Sequence, residues 1–322
     1  MTGNPDAYDK LIFLKPHFME SIWGGTRLSH GFSFSDAIPT PVDLESIGEC
    51  WAISAHSRAD LIVSHGTYAG LTLSKLWDGH PELFGYDHAE AFPLLIKYID
   101  AAKDLSIQVH PDETYAQLHE DTGHGKRECW YIIDAPHDAS IIAGLCALDS
   151  NDTDLIYKDS HAGELSYQRL LVKKGDFVVI NPGCVHALTA GVLALEIQQA
   201  SDITYRIYDY DRKLPNGTQR ELQREKAQEV IKLSERPQII EQGAPEGNET
   251  LLVACDSFVV RKYEVTEETV IKNEASYSCV CVIEGEGFIN GVSVSRGCTF
   301  IASALSNTLT CTGNMTLITA NS

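Results

Sequence analysis

Short runs of β-branched and aromatic residues, broken every few positions by Gly, Pro or Asp, extend over most of this chain. Examples are LIFLKP at 11–16, GECWAIS at 48–54 and ADLIVS at 59–64. Runs of this kind favour strands, and the frequent turn residues favour reversal of the chain between one strand and the next. The sequence therefore predicts a mainly β protein with mostly antiparallel sheets.

Helical patterns are fewer. They are TLSKLWDGHPELF near 72–84, PDETYAQLHED after Pro111, and RELQREKAQEVIKLS at 220–234. The last has an apolar stripe at helical spacing, formed by Leu222, Ala227, Val230 and Ile231. We expect these helices to decorate the sheets.

Size and composition indicate a folded globular enzyme. With 322 residues, 43% hydrophobic and 22% charged, the chain can bury a large core. No apolar run reaches the roughly 18 residues that suggest a membrane span, and the start MTGNPDAYDK lacks the layout of a secretory signal. We expect a cytoplasmic protein with no membrane partner.

The charge and the cysteines narrow the possible partners further. A formal net charge of −20 disfavours nucleic acid and anionic membranes, so an anionic substrate would need a local group of cations. The nine cysteines are scattered and lie mostly in apolar runs, which predicts reduced structural thiols. The sequence leaves the oligomeric state open.

Two segments share one rhythm of strand, turn and strand. KKGDFVVINPGCVHAL at 173–188 ends on a histidine, whereas VCVIEGEGFINGVSVSRGCTFIASAL at 280–305 has the same rhythm with no histidine around Ser303. We predict a duplicated β unit, in which residues 1–240 form the catalytic domain and 241–322 a smaller, metal-free one. The segment EQGAPEGNE at 241–249 is the expected linker. The alternative is that both segments are ordinary hairpins.

Residues 105–133 contain the first candidate metal ligands. In the strand LSIQVH, Gln108 and His110 are two positions apart, so both side chains leave the same face. Glu128 lies in the run RECWYII, where a buried carboxylate is costly unless a cation neutralises it. Any one of these residues alone would more often be structural.

His186, directly after the Pro182-Gly183 turn, completes the candidate set. Two imidazoles, a carboxylate and an amide oxygen suit zinc, and they also suit iron, manganese or cobalt. The residues predict a metal site of this composition and leave the identity of the metal open.

The segment ALEIQQASDITYRIYDYDR at 194–212 is too polar to fill a small barrel. Strand alternation gives it a set of polar side chains that we expect to line a ligand cavity: Glu196, Gln198, Asp202, Tyr205, Arg206 and Tyr208. The Arg206 guanidinium could bind a phosphate or a developing enediolate oxygen, and Asp202 could orient it. The alternative is a salt-bridged surface strand.

Taken together, LSIQVHPD, GKxExWYI, PGxVHAL and LEIQQxSDxTYRxYDYDR closely resemble the type I mannose-6-phosphate isomerases in their short bacterial form. The resemblance starts near FLKPHFMESIWGG at 13–25 and GECWAIS at 48–54, runs to Arg212, and is weaker beyond. It implies a cupin fold, a double-stranded β-helix barrel, with one zinc ion per chain.

The resemblance also implies roles for individual residues. Gln108, His110, Glu128 and His186 match the zinc ligands of the family, and the QxH pattern in place of HxH argues against the cupin oxygenases. The family has substrate-facing or phosphate-facing residues at four further positions: Lys97, Ser106, Lys126 and Arg206. A helical insertion of larger members is expected to be missing between about 128 and 186.

The activity implied is the interconversion of mannose 6-phosphate and fructose 6-phosphate through a cis-enediol, with the metal as Lewis acid. Arg206 would stabilise the enediolate and Lys126 could bind an oxygen or move protons. The candidates for the general base are Glu196, Asp202 and Lys126. Two alternatives stay open: another cupin metalloenzyme, such as an iron oxygenase or a different sugar isomerase, and a non-catalytic sugar-binding cupin.

Overall fold

Antiparallel strands dominate the fold, as predicted. A computed structural model of the chain describes residues 5–34, 45–86, 89–120, 123–146, 167–273 and 276–322. The strands are β1 (Leu11–Phe13), β2 (His17–Gly25), β3 (Ile47–Ile53), β4 (Ala55–His56), β5 (Ala59–Asp60), β6 (Leu94–Asp100), β7 (Ile107–Val109), β8 (Glu128–Asp134), β9 (Ser140–Leu145), β10 (Tyr167–Leu171), β11 (Phe177–Ile180), β12 (His186–Ala187), β13 (Leu193–Gln199), β14 (Tyr205–Tyr208), β15 (Gln238–Ile239), β16 (Glu249–Ala254), β17 (Val259–Val265), β18 (Thr269–Lys272), β19 (Ser278–Ile289), β20 (Val292–Ser295), β21 (Thr299–Ala302) and β22 (Thr308–Asn321).

The helices are short, and the sequence overestimated one of them. They are α1 (Pro5–Lys10), α2 (Leu73–Gly79), α3 (Glu113–His119) and α4 (Arg224–Val230), with 3₁₀ turns at Arg27–Ser29 and Pro81–Leu83. The helix predicted over 220–234 starts only at Arg224. Gln223 is the reason, because its N–H donates to the Arg206 carbonyl at 2.9 Å and its Oε1 accepts from the Arg206 N–H at 3.1 Å. These bonds hold the residues before the helix beside β14.

Three large sheets form the architecture. A five-stranded sheet has the order β10-β9-β12-β7-β14, a seven-stranded sheet the order β15-β11-β8-β13-β6-β3-β2, and an eight-stranded sheet the order β1-β21-β19-β22-β17-β16 with β18 and β20 paired at its side. A two-stranded ribbon, β4 with β5, stands apart from them.

Strand alternation in the seven-stranded sheet gives it two different faces. Trp130 and Ile99 belong to a core cluster that also contains Ile141 of the five-stranded sheet. Their strand neighbours Tyr131 and Tyr98 belong instead to a cluster shared with the eight-stranded sheet. The seven-stranded sheet therefore lies between the other two, and its first face looks onto the five-stranded sheet.

The eight-stranded sheet contains the predicted strand rhythm of 280–305. β19 and β20 are joined by a tight turn at Asn290 and Gly291, both at positive φ (49° and 78°), as two-residue hairpins require. The sheet curls around a second core formed by Val280, Phe300 and Leu317, among others. It also includes β1 from the other end of the chain, which pairs with β21. The domain boundary at 240 stays a prediction.

Three further expectations can be set against the structure. All nine cysteines are free. Within the described residues, no helix combines the length and the apolar character needed to cross a membrane. The missing insertion was expected between about 128 and 186, and residues 147–166 of that interval lie outside the described residues.

Candidate active site

Two sheets bring three metal-ligating side chains together. His110 follows β7 and His186 begins β12 in the five-stranded sheet, whereas Glu128 begins β8 in the seven-stranded sheet. His110 Nε2 lies 3.3 Å from Glu128 Oε2, and His186 Nε2 lies 3.2 Å from Glu128 Oε1. All three side chains are buried, and one ligand atom from each lies within 4.8 Å of the others.

Backbone carbonyls fix the orientation of both imidazoles. His110 Nδ1 lies 2.8 Å from the Ile203 carbonyl oxygen, and His186 Nδ1 lies 2.9 Å from that of Cys184. Because a carbonyl can only accept, each Nδ1 carries the proton and each Nε2 presents its lone pair to Glu128. This is the arrangement by which proteins orient metal-binding histidines.

The ligand atoms are buried without hydrogen-bond partners among the described residues. This holds for His110 Nε2 and for both carboxylate oxygens of Glu128. Lys126 Nζ stands 3.0 Å from Glu128 Oε2 but does not complete a hydrogen bond. Buried polar atoms normally have partners, so these atoms fit a bound cation.

Electrostatics keep the three groups in the protonation states that metal binding requires. Burial, with help from Lys126, lowers the pKa of His110 to about 3, so its imidazole is neutral near pH 7. Burial would raise the pKa of Glu128, but Lys126 and the two histidines outweigh it and hold that pKa well below its usual range. The carboxylate is therefore ionised.

Gln108 and Ser106 lie beside the triad. Gln108 is the register partner of His186, and its Nε2 is 3.5 Å from His186 Nε2. Ser106 Oγ donates to Gln108 Oε1 over 3.3 Å. The predicted fourth ligand thus lies next to the other three, with its amide nitrogen turned towards the site.

A cleft of about 750 Å³ opens over Gln108 and Lys126. Its charged lining residues are Glu20, Glu49, Arg58, Lys97, Lys126, Glu196, Asp202, Arg206 and Arg220. The cleft therefore contains five cations in a chain of net charge −20, which meets the requirement for local positive charge. A smaller cavity of about 230 Å³ lies in the eight-stranded sheet, away from these groups.

Lys97 is surrounded by carboxylates. Its Nζ lies 3.4 Å from Glu196 Oε2, 3.5 Å from Glu49 Oε2 and 3.8 Å from Asp202 Oδ1. Burial alone would lower the pKa of Lys97, but these carboxylates raise it above its usual value. The lysine is charged, and its charge is largely balanced by its neighbours.

The two carboxyl candidates for the general base differ in environment. Glu196 is buried and its Oε1 accepts from Trp130 Nε1 at 3.0 Å; burial and the nearby Glu128 raise its pKa. Burial would also raise the pKa of Asp202, but Lys97, Lys126 and Arg58 lower it, and Arg58 Nη1 donates to Asp202 Oδ2 at 2.7 Å. Glu196 therefore has the higher proton affinity.

One end of the cleft carries uncompensated positive charge. Arg212 and Arg220 share the single carboxylate of Asp209, and Arg220 Nε donates to Asp209 Oδ2 at 2.8 Å. Arg206 has no carboxylate partner among the described residues, and its Nε is buried without a hydrogen bond. Burial and the nearby Arg220 lower the pKa of Arg206. Two guanidinium groups in one cleft indicate a place for an anion.

Tyr205 and Tyr208 do not line the cleft, contrary to expectation. Both pack in an apolar cluster on the outer face of the five-stranded sheet, with α4. Tyr205 alternates with Arg206 and so points away from it, and a register shift after Arg206 turns Tyr208 to the same outer side. Gln198 is buried, with its Nε2 donating to the Ser201 carbonyl at 2.5 Å.

Three cleft residues were missed from the sequence. Arg58 lies in the turn between β4 and β5, and Arg220 lies in the segment that was predicted to be helical. Nothing local to either residue signals the cleft. Glu49 could have been found, because it alternates with Trp51 on β3 and accepts from Trp51 Nε1 at 2.7 Å.

Comparison with known proteins then identifies the family. Residues 11–166 match the family model of the phosphomannose isomerase type I catalytic domain, and residues 248–322 match that of the mannose-6-phosphate isomerase cupin domain. The mannose-6-phosphate isomerase ManA of Bacillus subtilis (strain 168) is 43% identical over 279 residues, which are 86% of each chain. This chain belongs to the type I phosphomannose isomerase family.

Solved structures agree with this placement. The crystal structure of mannose 6-phosphate isomerase from Bacillus subtilis matches with a TM-score of 0.89 at 38% identity, covering 97% of this chain and 100% of that one. A mannose 6-phosphate isomerase solved with zinc and yttrium shares the fold, with a TM-score of 0.73 at 13% identity over 97% of this chain and 99% of that one. The predicted family, the mainly β fold with a cupin domain and the isomerase assignment are confirmed.

Proposed function

We propose that this isomerase interconverts mannose 6-phosphate and fructose 6-phosphate through a cis-enediol, with one zinc ion per chain bound by Gln108, His110, Glu128 and His186. One observation carries the proposal. The ligand atoms of a buried His–Glu–His triad lack partners among the described residues, at the base of a cleft whose outer end is cationic. Such a site binds a divalent cation and an anionic small molecule side by side.

Zinc suits this set of donors. Two imidazole nitrogens, a carboxylate oxygen and an amide oxygen match its preferences, and a relative of the same fold carries zinc in its solved structure. Gln108 can supply the fourth ligand after its amide rotates by half a turn. That rotation points Oε1 at the site and leaves Nε2 to donate to Ser106 Oγ, which is equally acceptable to both groups.

A bound zinc ion would act as a Lewis acid that makes the hydrogens next to the substrate carbonyl more acidic. Glu196 is the proposed general base that moves the proton between C1 and C2. Its raised pKa favours proton uptake, and Trp130 Nε1 and Lys97 hold its two oxygens in place. Asp202, with a lowered pKa and an ion pair to Arg58, is the weaker candidate.

Arg206 and Lys126 stabilise the charge that develops on the substrate. Arg206 is the register partner of Gln108, so its guanidinium starts beside the metal ligands and lacks a carboxylate to neutralise it. It would donate to the enediolate oxygen. Lys126, 3.0 Å from Glu128, keeps that ligand ionised and can donate to a substrate hydroxyl.

The phosphate group binds at the outer, arginine-rich end of the cleft. Arg212 and Arg220 share only Asp209, which leaves one excess positive charge, and Arg206 adds a second. Two positive charges match a phosphate dianion. Lys97 and Ser106 were predicted near the phosphate. The carboxylates around Lys97 favour a role in holding Glu196 and Asp202, and Ser106 supports Gln108.

The partner is thus a small sugar phosphate, and we propose a cytoplasmic enzyme without nucleic acid or membrane partners, in keeping with the net charge of −20. The test is a coupled assay of mannose 6-phosphate conversion, run beside an oxygen electrode. We expect isomerisation without oxygen uptake. Oxygen consumption would favour the cupin oxygenase, and a folded protein that binds sugar phosphate without turnover would favour the non-catalytic alternative.

A further inference from the structure

The eight-stranded sheet has a cavity of its own that the isomerase site does not use. Its volume of about 230 Å³ is roughly eight times the ~30 Å³ that a water molecule occupies in the liquid. The apolar floor is buried and consists of Tyr263, Ile271 and Leu309. The cavity is therefore an opening at one end of the second core.

Strand alternation makes this end of the barrel polar. Along β17, Arg261 is on the same face as Tyr263 and Val265, and the interior positions on β22 are Leu317 and then Thr319. Ser278 at the start of β19 continues the same change. Barrel interiors are normally filled by apolar side chains, so a polar interior beside open volume is typical of a ligand cavity.

The polar groups are held in place, and several hydrogen-bonding atoms remain available. Glu249 accepts from Tyr263 Oη at 2.9 Å and binds Arg261 Nε at 3.0 Å. This fixes the guanidinium, while its two Nη atoms have no partner among the described residues. The buried Thr319 hydroxyl likewise has none within the described ranges. Asn321 adds an amide at the rim, with both a donor and an acceptor.

The charges around the cavity identify the ligand class. Glu246 and Glu249 balance Arg261 and Lys272, so the formal sum is zero. A balanced set of donors and acceptors suits hydroxyl groups, each of which donates and accepts, and gives no net preference for an anion or a cation. We infer that this cavity, formed by Arg261, Thr319, Asn321 and the Tyr263 floor, binds a small neutral polyhydroxylated molecule of monosaccharide size.

The test uses D-mannose as probe and the zinc-loaded full chain, observed by saturation-transfer NMR. Excess fructose 6-phosphate is present throughout to fill the isomerase cleft. We expect mannose to bind with a Kd on the order of 1–10 mM, as for a ligand of few atoms. Arg261→Gln and Thr319→Val should each weaken that binding about tenfold or more, while isomerase turnover stays at the wild-type level and reports that the chain is folded.

Lys262→Gln is the matched control, since Lys262 lies on β17 next to Arg261 but on the opposite face. Its mannose binding should equal that of the wild type. Three results would overturn the inference: loss of all mannose signal when fructose 6-phosphate is added, unchanged binding in both cavity variants, or binding of inorganic phosphate at the cavity in place of mannose.

Discussion

The space between the five- and seven-stranded sheets and the interior of the eight-stranded sheet are built from the same kind of strand, yet they are filled differently. The first contains His110, Glu128 and His186, with Lys97 and Glu196 close by. The second contains Val280, Phe300, Leu317 and their apolar neighbours, apart from its polar mouth. The two regions share an architecture and differ in what their inward-facing positions carry.

This difference shows how the molecule separates chemistry from stability. Burying charged groups costs several kcal/mol for each ion unless partners or a metal compensate, so the first region contributes little to folding by itself. Burying large apolar side chains stabilises by about 1.5–3 kcal/mol each. Substitutions in the first region should therefore change turnover more than stability, and substitutions in the second should do the reverse.

The largest expected effect is on turnover in the charged region. Glu196→Gln keeps the shape and the hydrogen bond from Trp130 but removes the proposed base, so kcat should fall on the order of 100-fold or more. Zinc content should stay at the wild-type level. Asp202→Asn should have the smaller effect on kcat, and wild-type turnover in Glu196→Gln would remove this residue from the mechanism.

The reverse effect is expected in the apolar region. Leu317 is fully buried in the second core, so Leu317→Ala should lower the free energy of unfolding by about 3 kcal/mol, measured by urea denaturation. Its kcat at low temperature should be unchanged. Leu251→Ala, at a position that is 51% exposed in the same sheet, is the control and should cost less than about 0.5 kcal/mol. A loss of kcat in folded Leu317→Ala would mean that the regions are coupled.

A pH dependence should arise from the charged region alone. The pKa of His110 is about 3 in the folded chain against an ordinary 6.5. Between these values the unfolded chain binds a proton that the folded chain does not, so stability is lost as the pH falls below 6.5. For metal-free protein we expect a loss of about 2 kcal/mol between pH 6.5 and 5. His110→Gln should flatten this slope and exposed His137→Gln should not. An unchanged slope in His110→Gln would contradict the assignment.

The smallest effect concerns the outer end of the cleft. Arg220→Gln should raise the KM for mannose 6-phosphate about tenfold, equivalent to ~1.4 kcal/mol, with kcat nearly unchanged, because Arg220 binds the phosphate and not the reacting carbons. Lys226→Gln, whose lysine pairs with Glu120 outside the cleft, is the control. A fall in kcat with a constant KM would place Arg220 at the reacting atoms instead.

Local patterns were enough to predict the centre of the site. Gln108 and His110 share a strand face by alternation, and Glu128 stood out as a carboxylate in an apolar strand. The structure brings both together with His186. The same alternation failed at Tyr208, because the register shift after Arg206 cannot be read from a strand in isolation.

The remaining features depend on contacts between distant segments. Arg58 reaches Asp202 from a turn 144 positions away in sequence, and β1 joins the eight-stranded sheet through β21 at the other end of the chain. Arg220 was assigned to a helix because its segment has a helical stripe, whereas pairing of Gln223 with the Arg206 backbone keeps that part extended. Tertiary hydrogen bonds outweighed helix propensity there.

The central claim is that a single metal ion at His110, Glu128 and His186 supports the isomerase activity. Its most direct test is a zinc titration of chelator-treated protein, with mannose 6-phosphate turnover measured at each addition and His186→Ala treated in parallel. We predict that turnover is absent without metal, rises linearly and reaches its plateau at one zinc per chain, while His186→Ala neither retains zinc nor recovers turnover. Full turnover of metal-free protein, or full recovery in His186→Ala, would contradict the account.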